Sequence, residues 1–195
     1  MVPMPSSALL VMDVQCSVVN RYPEESESLL RALGKATTAA RAAGIPVIYV
    51  IVAFREGSPE ISHRNRTFST IAASGAMAQD RPDTQIHPAV TPHPEDIVVT
   101  KKRVSAFAGS DLEILLRSLE VGALVLTGIA TSGVVLSTLR QAADLDYQLT
   151  VLRDGCADAD PEVHRVLLEK VFPRQAEVLS IDDWAERLPS ATSTP

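Results

Sequence analysis

Short apolar runs alternate along the chain with segments in which apolar residues recur every three or four positions. The runs ALLVMDV (8–14), PVIYVIVAF (46–54), DIVVTK (96–101), ALVLTGI (123–129), QLTVLRDG (148–155) and AEVLSI (176–181) have the β-branched, apolar composition of strands. Between them, SLLRALGKATTAARAAG (28–44), SDLEILLRSLEVG (110–122), SGVVLSTLRQAADLDY (132–147) and PEVHRVLLEKVF (161–172) have helical spacing, and DDWAERL (182–188) begins a short helix. Gly44 stands where a helix C-terminal glycine belongs, and Ser110 stands at an N-cap. Residues 55–96, rich in Pro, Ser, His and Arg, read as one long irregular section. Connections of that length are uncommon inside compact domains and are often functional.

Strand and helix in strict alternation predict an α/β fold: a three-layer α-β-α sandwich around a six-stranded, mostly parallel sheet, with right-handed crossovers. Residues 1–188 read as a single domain, and 189–195 as a polar tail. Ligands of such sheets bind in the crevice beyond the C-terminal strand ends. That rule selects which residues to inspect for chemistry.

Composition narrows the function classes. The chain has 195 residues, 46% of them hydrophobic and 22% charged, with a formal net charge of −6. It is too apolar to be disordered, and its acidity argues against a general nucleic-acid or anionic-membrane binder. The longest apolar stretches are about half the roughly 20 residues that a spanning helix needs. The first apolar run has no positively charged start and leads straight into Asp13, so it reads as a strand and not a signal. Two cysteines, Cys16 and Cys156, are too few for a disulfide scaffold, which makes a reducing cytoplasm the default location.

Three features stand at strand ends. Asp13 ends the first run, where partial burial would raise its pKa and make it a general acid or base; alternatively Asp13 and Gln15 cap a turn. Lys101 ends the run DIVVT and can orient Asp13 or face an anion, although basic triplets such as Lys101–Arg103 more often lie on solvated turns. In 124–140 a buried strand turns through GIATSG into a helix, which presents helix N-terminal amides as an anion or oxyanion site. As a bare pattern, an ordinary strand-to-helix turn explains that segment equally well.

Taken together, Asp13 with Gln15, KKRVSAF at 101–107 and GIATSGVV at 128–135 resemble the isochorismatase-like, or cysteine hydrolase, superfamily from the first strand to the last. The resemblance implies a parallel sheet of about six strands. It makes Asp13 the family's aspartate and Lys101 its lysine, in the pattern K-x-R-x-S-A-F. It places the nucleophilic cysteine at position 134, where this chain has Val134, which has neither a lone pair nor a proton to offer. Neither cysteine aligns there, and both read as small apolar residues. The resemblance further implies a cis Ile129–Ala130 peptide, with the Ala130 and Val134 amides as the oxyanion site. Gln15, Arg55, Phe107 and Thr131 are pocket candidates; Arg55, Asn65, Arg66 and Phe68 line the pocket or a subunit contact or, equally, belong to a solvated loop.

Members without the cysteine include the isochorismatases, whose vinyl-ether hydrolysis needs a proton and a water but no protein nucleophile. Those enzymes resemble one another in a Gly at position 134 and a Tyr near position 130, so Val134 and Ala130 shape a different pocket. The expectation is therefore a hydrolase working on a small anionic molecule by Asp13/Lys101 acid–base chemistry of the enol-ether type. The alternatives are a C–N hydrolase using Asp-activated water and a lapsed small-molecule-binding protein. No cofactor and no metal are expected: His63, His87, His93 and His164 lack ligand spacing. The first three read as surface residues, and His164 as solvent-facing or an inter-helix contact. Neither nucleic acid nor membrane is an expected partner, and the resemblance implies a homodimer or homotetramer.

Overall fold

The computed structural model describes residues 6–22, 24 and 26–189. In chain order the elements are β1 (Ser6–Met12), α1 (Cys16–Val19), α2 (Ser26–Ala42), β2 (Val47–Val52), α3 (Arg66–Ser74), β3 (Ile97–Lys101), α4 (Leu112–Ser118), β4 (Val121–Ile129), α5 (Leu136–Asp144), β5 (Gln148–Ala157), α6 (Pro161–Val166), β6 (Glu177–Leu179) and α7 (Ile181–Glu186). The six strands form one sheet in the order β3-β2-β1-β4-β5-β6, and every pairing is parallel. Residues 190–195 of the expected polar tail lie outside the described residues. Among the described residues, no helix is long and apolar enough to cross a membrane.

The pleat of β1 explains how one strand serves two cores. Leu9 and Val11 point into a cluster with Leu29, Leu33 and Ala36 of α2 and Trp184 of α7. Ala8, Leu10 and Met12 point into the opposite cluster with Leu112 and Leu116 of α4 and Leu139 and Ala142 of α5. Successive side chains of a strand alternate between faces, so an unbroken apolar run is what a strand covered on both sides requires. Each Leu, Val or Met among them, fully buried, is worth about 1.5–3 kcal/mol.

The strand order reverses beside β1: β2 lies on one side and β4 on the other, and their helices leave toward opposite faces. Such a switch point opens a crevice beyond the strand ends. Asp13 and the turn after β4 both emerge there.

Three expectations are corrected at the level of elements. The 55–96 section is not uniformly irregular, because it contains α3, started by Asn65 and ended by Gly75. The Asn65 side chain accepts a hydrogen bond from the Phe68 N–H, and Gly75 adopts the left-handed conformation that a helix C-terminus calls for. Ser110 lies one residue before the cap of α4: Asp111 is the cap residue, and the Ser110 hydroxyl accepts from the Leu112 N–H at 3.4 Å while it donates to the Ala106 carbonyl at 2.6 Å. Finally, the helix of 132–147 opens with a wide turn over Thr131–Val135 before α5 begins, and a second wide turn over Leu167–Val171 follows α6. Gly44, by contrast, ends α2 as expected, with φ +70 and its N–H on the Arg41 carbonyl.

Candidate active site

Asp13 is the first residue after β1. Its backbone has φ +58, a left-handed conformation in which Asp is one of the few tolerated side chains, and its N–H is held by the Val50 carbonyl at 2.8 Å. The residue is buried. Oδ2 lies 2.8 Å from Lys101 Nζ, while Oδ1 is buried with no hydrogen-bond partner. Burial pushes the carboxyl up to about 6, against the opposing pull of the Lys101 charge and hydrogen bond. An acid in that range gives and takes protons near neutrality.

Lys101, at the end of β3, is 2% exposed. Its ammonium donates to the Arg103 carbonyl at 3.0 Å and the Val104 carbonyl at 2.8 Å in addition to meeting Asp13. An ammonium has three N–H donors, and these three acceptors account for all of them. Of the two roles open to Lys101 from the sequence, the geometry supports orienting Asp13 and leaves no N–H for direct capture of an anion. The loop after Lys101 is fixed in turn by α5: the Ser105 hydroxyl donates to Gln141 Oε1 at 2.7 Å, and the Ala106 N–H donates to the Thr138 hydroxyl at 3.0 Å.

The third component is the turn after β4. The Ile129–Ala130 peptide is cis. The Gly133 and Val135 N–H groups fold back onto the Ala130 carbonyl at 3.1 and 3.3 Å. Val134 is buried among apolar residues that include Phe107, Met12 and Leu139. Gly128, two residues before Ala130, has φ +139, and a Cβ there would stand 2.2 Å from the Met12 carbonyl oxygen. β1 and β4 therefore approach closely directly beneath Asp13.

The pocket candidates fare differently. Gln15 is fully buried, and its amide is spent on backbone: Nε2 donates to the carbonyls of Val52 (3.0 Å) and Thr84, and Oε1 accepts from the Val52 N–H (2.9 Å). It staples the end of β2 to the 84–87 segment. Gln15→Ala leaves buried backbone groups unpaired and is expected to lower stability by about 2–4 kcal/mol, read by urea unfolding; a change under about 0.5 kcal/mol contradicts the staple. Phe107 packs in the α4/α5 core beside the Tyr147 ring, at 6.1 Å between centroids. Thr131 is fully buried with its hydroxyl 2.8 Å from His164 Nδ1. Arg55 is largely exposed and ion-paired with Glu60 at 2.7 Å. Among the described residues, no hydrogen bond or ion pair joins any of these four side chains to Asp13 or Lys101.

Among the other candidates, Asn65 caps α3, Phe68 meets the Phe54 ring edge-on at 5.7 Å, and Arg66 is exposed. Cys16 is partly exposed, while burial pushes the Cys156 thiol up to about 12, far from thiolate chemistry. His63 and His93 are exposed, His87 accepts from the Ala89 N–H, and His164 makes the inter-element contact with Thr131. Among the described residues, no three of His, Cys, Asp or Glu converge as metal ligands.

Sequence reasoning missed Glu60, Asp158 and the pairing of His164. Glu60 Oε2 is buried without a partner. Burial alone would raise this carboxyl, but its own and the Arg55 N–H, with the Lys102 and Arg55 cations, hold it below the usual range. Asp158 accepts the Ser132 N–H at 2.6 Å. That contact joins residues 26 positions apart, and no local pattern announces it.

The isochorismatase domain profile matches residues 7–183. The chain is 37% identical over 165 residues to the ureidoacrylate amidohydrolase RutB of Pseudomonas syringae pv. syringae, an alignment that spans 78% of this chain and 63% of that protein. It is 30% identical over 180 residues to an uncharacterised isochorismatase family protein, YecD, of Escherichia coli, covering 91% and 94% of the two chains. Among solved structures, a cysteine hydrolase from Pseudomonas syringae pv. phaseolicola superposes with a TM-score of 0.87 at 22% identity, over 98% of this chain and 100% of that one.

Proposed function

The chain belongs to the isochorismatase family, and on that premise we propose that it hydrolyses a small, anionic molecule through Asp13 and Lys101 with water as the nucleophile. The observation that carries this reading is the Asp13 carboxyl: buried, oriented through Oδ2 by Lys101, with Oδ1 unpartnered and a pKa near 6. Position 134 offers only a buried valine, so attack by a protein thiol from the turn is not available.

Enol-ether hydrolysis suits such a site because it needs one group that gives and recovers a proton. Asp13 in its acid form protonates the enol carbon, and the C=C electron pair forms that C–H bond and leaves an oxocarbenium ion. Water adds to the cationic carbon and returns a proton to the Asp13 carboxylate. The hemiketal then collapses to a carbonyl compound and an alcohol. Lys101 holds Asp13 in place throughout and stabilises the carboxylate between the two proton transfers.

A second reading is favoured by the relatives. The Pseudomonas syringae relative is a ureidoacrylate amidohydrolase, and a C–N substrate here would be attacked by water that ionised Asp13 deprotonates. The two readings predict opposite pH profiles. If Asp13 works as the acid, kcat/KM falls as pH rises past about 6; if it works as the base, kcat/KM climbs through about 6 to a plateau. Isochorismate, ureidoacrylate, N-carbamoyl amines and cyclic imides, assayed from pH 5 to 8.5, decide between them. A profile flat across that range for an active substrate removes Asp13 from both.

A further inference from the structure

We propose that Asp158 and His164 are positioning residues that brace the turn Ala130–Val135 from outside and so set where it presents its amides to the reacting molecule. The inference rests on the hydrolase reading above. Two successive residues of the turn are gripped by the segment that follows β5. The Ser132 N–H donates to Asp158 Oδ2 at 2.6 Å, and the Thr131 hydroxyl and His164 Nδ1 lie 2.8 Å apart. Thr131 is fully buried, so its hydroxyl depends on this partner. The bond to Asp158 is charge-assisted, of the stronger kind.

From the inside, the Gly133 and Val135 N–H groups close on the Ala130 carbonyl. The turn is thereby held on both sides between β4 and α5. The α6 end of the brace is itself anchored, since the Asp160 side chain accepts the Glu162 and Val163 N–H groups. Burial lowers the His164 pKa against the opposing Asp158 charge, and so favours the neutral ring as the partner of the Thr131 hydroxyl. In the sheet, Met12, the neighbour of Asp13, pairs with Gly128 at the end of β4, so a displaced turn changes the distance between its amides and Asp13. Misplacement by about 1 Å can cost about 10²-fold in rate.

Asp158 and His164 also line a crevice of about 300 Å³ with Leu29, Arg153 and Pro161, so truncating either opens into that space and not into packed core, and the cost in stability is the lost partner of Ser132 or Thr131. The test compares Asp158→Ala, Asp158→Asn, His164→Ala and His164→Asn, with thermal unfolding measured alongside kcat and KM. Both Ala variants should lose at least about tenfold in kcat/KM, and both Asn variants, which keep a hydrogen-bonding atom in the same place, should recover most of it.

A fall in kcat marks charge that develops only in the transition state, as in C–N hydrolysis. A rise in KM marks a substrate anion held equally in ground and transition states, as the enol-ether reading requires. Wild-type kcat and KM in a folded Asp158→Ala protein overturn the bracing role, as does an Asn variant as impaired as its Ala counterpart. Failure of the hydrolase reading looks different: the wild type turns over nothing. In that case, calorimetric titration with ureidoacrylate and isochorismate replaces kinetics. Binding at least tenfold weaker in Asp158→Ala supports the brace, and equal affinity, or no binding to either protein, rejects it.

Discussion

Asp13→Asn is expected to lower kcat/KM by about 10²–10⁴-fold, the loss that follows removal of a positioned proton-transfer group. The substitution is chosen because it keeps the shape and the hydrogen-bonding oxygen, while removing the acid and the negative charge that faces the buried Lys101 ammonium. Asn tolerates the left-handed φ of +58 as Asp does, retains an oxygen 2.8 Å from Lys101 Nζ, and matches the carboxylate in size. What it removes is the ability to hold or release a proton near pH 6. Because burial raises the folded-state pKa, the stability that Asp13 contributes is fully present below pH 4 and is lost as pH rises through about 6. Above pH 6 the neutral amide avoids the desolvation cost of the buried carboxylate but leaves the buried Lys101 ammonium with its two backbone carbonyls and no counter-charge, so a loss of stability accompanies the loss of activity. Kinetics and thermal unfolding on the same preparation separate lost chemistry from lost fold. Undiminished turnover in Asp13→Asn sinks both hydrolytic readings.

The positions of Asp13 and Lys101 were legible in the sequence because each directly follows or ends an apolar run, and a parallel sheet delivers strand ends to one edge. The turn after β4 was legible for the same reason. What was not legible is everything that depends on contacts between distant segments. Gln15 sits two residues from Asp13 and reads as a pocket group, yet its amide is claimed by Val52 and Thr84, 37 and 69 residues away. A buried side-chain amide that satisfies three backbone groups on two distant segments is worth more to the fold than to a ligand. Phe107 likewise follows the basic loop, but the hydrogen bonds of Ser105 and Ala106 to α5 accompany its ring into the core.

α3 was hidden by composition: Pro, Ser and Arg on either side masked a nine-residue helix whose signals, Asn65 before it and Gly75 after it, are local and modest. Asp158 and His164 carried no signal toward the turn at all. Their relation to it arises only when β4 and β5 pair, with Gly128 against Cys156 and Ile129 against Ala157, which brings the start of α6 beside Thr131 and Ser132. The family resemblance did locate the cis peptide, because it supplies information about the turn that spacing does not contain.

Gly128→Ala is the substitution expected to damage the fold most. Its added Cβ would stand 2.2 Å from the Met12 carbonyl oxygen and 2.9 Å from the Met12 Cβ, and the φ of +139 is a conformation that L side chains rarely adopt. Relief requires β1 and β4 to separate. Those strands pair over the length of β1 at the centre of the sheet, and Met12 is fully buried, so neither partner can give way cheaply. A backbone clash combined with a strained φ belongs to the mechanisms that produce losses of about 4–5 kcal/mol or more, a large part of the 5–15 kcal/mol that holds a typical domain folded. Accordingly, Gly128→Ala should yield little folded protein, or a midpoint in urea far below wild type. Any folded fraction should be impaired in turnover, because the same displacement moves Asp13 away from the turn. Ala substituted at Gly34, where a Cβ meets nothing within 4 Å, is the control and should be neutral or stabilising, since Ala is favoured over Gly inside α2. Near-wild-type stability in Gly128→Ala would mean that β1 and β4 do not meet at this glycine, and the site would then lose the floor on which Asp13 and the turn are held in register.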